Sequence, residues 1–254
     1  MVGTRSTCMD NTTHKNMTKH IVSIIFVLYL SLLPLWIFTA TWEQIIIGYI
    51  CYWFMVDIVS SKFYHHWAAH RLWNPPRWLQ KILSVIGVGA LIGTPIAWTA
   101  WHRTHHTHSD TEKDPHSPIF KSAFYIMFSH YHTAQIKRAV DRLRDSFLMT
   151  LAKNEIYIVI GINLGLFLLL DWSWFLTLWA IPVGCSIFSI NYIVNILSHK
   201  NGKAEDISSW WWFLVFADGI THGSHHNKPK LSYFKYDPSS WIINKLGWTN
   251  EPRA

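Results

Sequence analysis

Four long apolar runs, nearly free of charge, divide the chain, and a very short polar turn separates the members of each pair. The runs predict spans at residues 21–40, 44–63, 156–170 and 174–197. The turns lie at residues 41–43 and 171–173. Since about twenty apolar residues in a helix cross the hydrocarbon core of a bilayer, the pattern predicts an all-α membrane protein with four transmembrane helices in two hairpins.

The remaining residues form a predicted helical cap on one side of the membrane, and we expect the whole chain to make one domain. The cap comprises residues 64–155 and 198–254. Residues 78–101 are apolar enough for a fifth span, but a crossing there would put His70 and His102 on opposite sides. We therefore expect an interfacial or re-entrant segment that glycines and Pro95 interrupt.

Basic residues are distributed unevenly along the chain. Three Lys or Arg precede residue 21, twelve lie between residues 62 and 153, seven follow from residue 200, and the two turns have none. The positive-inside rule then places both termini and the cap in the cytoplasm. Residues 124–153 read as an amphipathic helix of this cap. Its predicted wet face carries Lys137, Arg138, Arg142 and Arg144.

Composition agrees with a membrane protein. Half of the residues are hydrophobic, 16 are Trp and only 15% are charged, whereas about a quarter are charged in a soluble domain. Three widely spaced cysteines indicate neither a disulfide framework nor a thiolate metal site. The formal charge of +7 is explained by anionic lipid and topology, so we expect no nucleic-acid partner.

The candidate chemistry lies in histidine clusters. Residues 102–106 read H-R-T-H-H, and five histidines occur between residues 102 and 116. On a helix, offsets of three and four place His102, His105 and His106 on one face, so we expect these three imidazoles to point at one spot. Imidazoles without cysteines favour a first-row transition metal over calcium or magnesium, which prefer oxygen ligands.

Three further clusters lie on the same predicted side. The helix of the second span is expected to run on into His65, His66 and His70, and that of the fourth into Asn195-x3-His199. The H-x-x-H-H spacing returns at 222–226. With one of His65 and His66 counted, nine candidate ligands exceed what one ion can hold, so the clusters predict two metals. The chain has no Glu-x-x-His pair, unlike the soluble di-iron bundles.

In combination, these motifs resemble the histidine boxes of membrane fatty acid desaturases of the acyl-CoA or acyl-lipid Δ9 type. The similar stretches are His65-x4-His70, the run from His102 through S-D-T-E-K-D-P-H, Asn195-x3-His199 and His222-x2-His225-His226. Thr221-His222-Gly223-Ser224 departs from the family's usual Trp-His-Asn-Asn, which affects neighbours of the ligands rather than the ligands themselves.

The resemblance implies two iron ions held by nine histidines, with Asn195 linked through water. The implied ligands are His65, His70, His102, His105, His106, His199, His222, His225 and His226. It also implies O2-dependent formation of a cis double bond in a long-chain acyl-CoA or acyl-lipid. Because the chain shows no fused electron carrier, we expect a separate b-type cytochrome, or a ferredoxin with its reductase.

The first cluster leaves an alternative open. Regular helical geometry pairs His66 with His70, whereas the family pattern pairs His65 with His70. Residues five apart point about 140° apart on a regular helix, which suits ligands of two different metals. We follow the family pattern.

The other histidines have ordinary explanations. We expect His14 and His20 in the N-terminal tail, His130 and His132 on the amphipathic helix, and His108 and His116 bracing the second cluster. Basic residues such as Arg71, Arg77 and Arg103 could meet a phosphate-bearing head group. The alternative functions are a histidine-box hydroxylase of alkanes or lipids and a metal transporter. A transporter would need acidic or imidazole ligands inside the spans, which offer only Asp57 near one end.

Overall fold

The computed structural model describes residues 11–128, 136–207, 212–230 and 237–249, and all regular elements in these ranges are helical. The first half contains α1 (Asn11–Ser31), α2 (Leu33–Thr39), α3 (Trp42–Trp53), the π-helix π1 (Phe54–His70), α4 (Arg77–Gly89), α5 (Pro95–His108) and α6 (Ala123–Phe128). The second half begins with a 3-10 turn (Ile136–Ala139), α7 (Val140–Leu143), α8 (Ser146–Lys153), α9 (Glu155–Leu169), α10 (Trp172–Phe175), π2 (Leu176–Ala180), α11 (Ile181–Phe188) and π3 (Ser189–Val194). It ends with 3-10 turns at Leu197–His199 and Ala217–Thr221, α12 (Phe213–Phe216), α13 (His222–Asn227) and α14 (Pro238–Lys245).

The all-helical class is confirmed, and the apolar runs form the longest helices. Three helical stretches of the described chain are long and apolar enough to cross a membrane: Met17–Thr39, Trp42–His70 and Trp172–His199. The predicted third span forms α9, whose 15 residues measure about 22 Å. Helix α9 is long and apolar enough for a membrane span only when it is joined to α8. The two helices meet at a bend of 75°. The described chain therefore holds three candidate spans, or four if this bent pair is one span.

The polar turns start the helices that follow them. Thr41 and Gln44 form a reciprocal capping box at the start of α3, and Asp171 accepts hydrogen bonds from the N–H groups of Ser173 and Trp174 at the start of α10. Such caps satisfy N–H groups that a helix cannot satisfy itself. The first turns of α3 and α10 are also in contact, because the Gln44 amide donates to Ser173 Oγ.

Buried Asn163 connects four helices of the core. Its Oδ1 accepts from the Tyr29 hydroxyl at 2.6 Å and from Trp179 Nε1 at 2.8 Å. Its Nδ2 donates to the carbonyl of Gly89 at 2.9 Å. Because a buried amide is costly unless its hydrogen bonds are made, these contacts fix α1, α4 and π2 against α9.

The apolar segment at residues 78–101 is interrupted, as its glycines and proline predict. Helix α4 ends at Gly89, positive φ angles follow at Leu91 (64°) and Gly93 (93°), and Pro95 opens α5. Thr94 caps α5 by accepting from the N–H of Ala97 at 3.2 Å. After this break, α5 packs against π1.

The continuous amphipathic helix predicted for residues 124–153 is wrong. The described parts of this stretch form short helices, and residues 129–135 lie outside the described ranges. Asp145 is one physical reason, because its side chain caps a new helix by accepting from the N–H groups of Phe147 and Leu148. Arg142 is another, since it turns from the predicted wet face to bind the carbonyls of Trp67 and Ala68.

Candidate metal centre

The winding of π1 decides which histidines of the first cluster act together. The N–H of Arg71 donates to the carbonyl of His66, five residues back. Such i→i+5 winding brings residues five apart onto one side, and the rings of His65 and His70 lie 4.8 Å apart. The expectation that this pair serves two different metals is therefore wrong, because it assumed regular α-helical winding. His66 lies beside them, outside their group.

Each H-x-x-H-H motif divides between two sites instead of aiming at one. On α5, His102 and His106 face each other with their Nε2 atoms 3.0 Å apart, whereas His105 Nε2 lies 3.0 Å from that of His226. On α13, His225 belongs with His102 and His106, whereas His222 belongs with His105. The prediction of three imidazoles at a single point was wrong, because the two sites are adjacent along one helix face.

The structure brings all nine predicted histidines together in two groups. The five-imidazole group contains His65, His70, His102, His106 and His225. The four-imidazole group contains His105, His199, His222 and His226. Within each group the candidate ligand atoms lie within 4.8 Å of one another. Both groups draw on residues from before and after position 200.

The spacing of the nitrogens fits transition-metal ions. Neighbouring Nε2 atoms are separated by 2.8 Å for His65 and His225, 2.9 Å for His70 and His102, and 2.8 Å for His199 and His222. An ion bound at about 2.1 Å from each imidazole nitrogen would place adjacent ligands of an octahedron about 3 Å apart. The residues present therefore match two all-nitrogen sites.

Burial favours the neutral form of five of these imidazoles. Burial first, and then neighbouring imidazoles, lower the pKa values of His102, His105 and His222 well below the usual range. Burial also lowers the pKa of His106 to about 4 and, together with its imidazole neighbours, that of His226 to about 2. Because only a neutral imidazole can bind a metal, these five side chains are available as ligands at neutral pH.

Two carboxylates contact the four-imidazole group. Asp114 accepts from His105 Nδ1 at 2.9 Å, and Asp110 accepts from His199 Nδ1 at 2.9 Å. Both acids belong to the run S-D-T-E-K-D-P-H, but sequence reasoning gave them no role. The signal available was their position directly after H-x-x-H-H, combined with the tendency of ligand histidines to donate to carboxylates.

The remaining histidines differ in their surroundings. His116 is buried and its ring centroid lies 3.9 Å from that of His105, so it does pack on the second cluster. His108 lies apart from both groups and its Nε2 accepts from Arg138 at 3.4 Å. His20 is exposed on α1, which also contains the backbone of His14. His130 and His132 lie outside the described residues.

A cavity opens beside both groups, between π1, α5, π3 and the segment that leads into α13. Apolar side chains and several candidate ligands share its wall. Its lining includes Val56, Ile190, Val194, Phe216, Trp98, His65, His102, His105, His222 and His225. Asn195 also lines it, is buried, and donates weakly to Asn191 Oδ1 at 3.5 Å. The amide thus borders the cavity beside the candidate ligands.

The arginines considered for a head group have internal partners. Asp141 pairs with Arg71 at 2.8 Å and with Arg103 at 2.6 Å, and Asp145 pairs with Arg77. Arg103 also donates to the carbonyl of Ala69 at 2.8 Å. The contacts of Asp141 thus tie the end of π1 and α5 to α7, and the pair of Arg77 and Asp145 joins the starts of α4 and α8.

A buried ion pair fastens the C-terminal region to π1. Lys62 and Asp237 are in direct contact, both side chains are fully buried, and Asp57 lies 3.8 Å from the Lys62 ammonium. Asp237 also caps α14 by accepting from the N–H groups of Ser239 and Ser240. The pair lies one helical turn before His65 and therefore supports the first cluster.

Comparison with known proteins adds independent findings. The profile of the family described as fatty acid desaturase matches residues 34–246. The chain is 30% identical to Delta-9 acyl-lipid desaturase 2 of Arabidopsis thaliana, over 81% of this chain and 72% of that protein. It is 30% identical to sn-1 stearoyl-lipid 9-desaturase of Anabaena variabilis, over 82% and 79%. It is 26% identical to acyl-CoA C20 Delta5-desaturase of Anemone leveillei, over 82% and 72%.

Proposed function

Because the chain belongs to the fatty acid desaturase family, we propose that it is an O2-dependent enzyme that introduces a cis double bond, at Δ9, into a long-chain acyl-lipid or acyl-CoA. The observation that carries this proposal is the convergence of nine imidazoles in two adjacent groups beside a cavity with apolar lining. The names of the relatives support the Δ9 position and the acyl-lipid substrate more strongly than acyl-CoA.

The proposed centre holds two iron ions, one in each imidazole group. Bound iron supplies the oxygen-activating redox chemistry that an unactivated methylene requires, since such a carbon offers no acidic proton or electrophilic centre to ordinary side chains. The histidines fix the ligand positions, and their burial limits access of bulk water. Asn195 completes the proposed set through a water molecule.

The cavity provides the proposed path for the acyl chain. Val56, Ile190 and Val194 present apolar surface to a hydrocarbon, while His65 and His102 lie in the same wall. An acyl chain there would displace water from the imidazole groups and bring two adjacent methylenes to them. The reaction consumes O2, two electrons and two protons, and releases two water molecules, so a separate b-type cytochrome or ferredoxin with its reductase must supply the electrons.

The proposed topology has four spans in two hairpins, with both termini and the metal centre in the cytoplasm. The distribution of Lys and Arg supports this orientation. The bent pair α8 and α9 supports a fourth crossing, with α8 at the interface and α9 within the bilayer.

Expression in a host that lacks the activity, followed by fatty acid analysis under 18O2, tests the proposal. We expect a new cis alkene without labelled oxygen in the lipid product, whereas a hydroxylase would give a labelled alcohol. His199→Ala should abolish the alkene and lower iron per protein, because the four-imidazole group loses a buried ligand. Asn195→Ala should retain more iron and cost roughly 10–100-fold in activity.

His20→Ala is the matched control, since His20 is exposed on α1. This variant should keep iron and product at the level of the unmodified protein. Two bound irons and full activity in purified, monodisperse His199→Ala would overturn the assignment of the centre.

A further inference from the structure

The loop after α5 contains a pair of buried carboxylates that are linked to each other. Asp114 is fully buried and accepts from His105 Nδ1, from the backbone N–H of Asp110 at 2.9 Å and from that of His116 at 3.0 Å. Three donors thus converge on its two oxygens. A carboxylate that accepts several hydrogen bonds in the interior is held in one orientation.

Asp110 extends this network to a second histidine. Its backbone has a φ of 56°, an uncommon conformation for a residue other than glycine, and its bond to Asp114 accompanies that turn. The turn directs the Asp110 side chain to His199 Nδ1 at 2.9 Å, and the hydroxyl of Ser117 donates to its other oxygen at 3.4 Å. The loop therefore connects α5 to the end of the fourth apolar run.

Both carboxylate contacts fall on the same imidazole group. A carboxylate at Nδ1 keeps the proton on that nitrogen and leaves the lone pair of Nε2 for a metal. His105 and His199 both belong to the four-imidazole group. Four members of the five-imidazole group have no carboxylate contact within the described ranges. They are His65, His70, His102 and His106.

We propose that Asp110 and Asp114 are positioning residues for one metal only, the ion of the four-imidazole group. The two sites then differ in kind, because the first relies on five imidazoles and the second on four imidazoles of which two are oriented by buried carboxylates. This inference rests on the proposed function for the presence of two metals. It goes beyond that function by assigning a role to the acidic run and by making the sites unequal.

Calorimetric titration of the purified apoprotein with Co2+ tests whether the two carboxylates support only one of the two metal sites. We expect two binding events in the unmodified protein. Asp114→Asn and Asp110→Asn should each weaken one event by roughly 10–100-fold and leave the other unchanged. Glu112→Gln is the matched control, because Glu112 is an exposed acid of the same loop. If Asp114→Asn fails to fold, Asp110→Asn carries the test.

Mössbauer spectra of 57Fe-loaded protein identify which site is affected. The signal that the aspartate variants lose should be the one lost in His226→Ala and retained in His70→Ala. Weakening of both sites, or of neither, would overturn the proposal. Failure of the unmodified protein to bind any metal would instead overturn the proposed function, so the two failures are distinguishable.

Discussion

At Gly87, α4 meets the ring of Tyr64 with no room for a side chain. A Cβ at this position would overlap the Tyr64 ring, whose hydroxyl donates to the carbonyl of Gly93 at 2.7 Å. Tyr64 is fully buried and directly precedes His65. Because glycine has no Cβ, α4 can pack at this position directly against π1, the helix that carries the first cluster.

Gly87→Ala should destabilise the protein by about 1–3 kcal/mol, because the added methyl group overpacks the contact with Tyr64. Gly161→Ala is the matched control, since Gly161 also lies within a helix but has nothing within 4 Å of an added Cβ. Helix propensity should make this control neutral or more stable by up to about 1 kcal/mol. Thermal unfolding in detergent measures both, and equal stabilities of the two variants would contradict the role of Gly87.

At the scale of the element, Arg103 and Arg142 cap the C-terminal end of π1, and Arg103 donates to the carbonyl of Ala69. Arg142 donates to the carbonyls of Trp67 and Ala68, and its guanidinium lies 4.4 Å from the Trp67 ring centroid. Burial lowers the pKa of Arg142 to about 10, so it remains charged at neutral pH. A cation at a helix C-terminus satisfies carbonyls and interacts favourably with the helix dipole.

Arg142→Met keeps much of the apolar stem but removes the charged donors. We expect a loss of about 1.5–3 kcal/mol, the usual contribution of hydrogen bonds that involve a charged group, together with weaker iron retention because His65 and His70 lie on this helix. Arg144→Met should change neither property, as Arg144 is exposed two residues away. Unfolding temperature and iron content that match those of Arg144→Met would contradict the capping role.

Sequence patterns predicted the elements better than their fine geometry. Long apolar runs forecast the candidate spans because crossing a bilayer requires length and low charge alone. The partnership of His65 with His70 depends on i→i+5 winding, which the motif does not encode. The contacts of Asp110 with His199 and of Lys62 with Asp237 join segments far apart in the chain. Local periodicity holds no information about such pairs, so neither contact was predicted.

At the scale of the whole molecule, the orientation in the membrane has a direct test. The sequence contains glycosylation sequons at Asn11-Thr12-Thr13 and Asn16-Met17-Thr18. We expect both to stay unmodified in a eukaryotic host, because the proposed topology has the N-terminus in the cytoplasm. An acceptor inserted between Trp172 and Ser173 should be glycosylated, as the proposed topology puts it on the opposite side.

A gel-mobility shift with and without glycosidase reports each site. Glycan on Asn11 would reverse the proposed orientation. The inserted acceptor is the internal control, because its modification shows that the protein entered the membrane in that host.

Both imidazole groups take ligands from the two sides of position 200, so bound iron would join the last part of the chain to the helices before it. Lys62 and Asp237 fasten one point of that part, and His222, His225 and His226 lie on the short helix α13 (His222–Asn227). A ligand that binds only the folded state stabilises it by mass action. In a cell short of iron, chains would lack this stabilisation and a larger fraction would be exposed to quality-control proteases. Iron supply would then influence the lifetime of the protein.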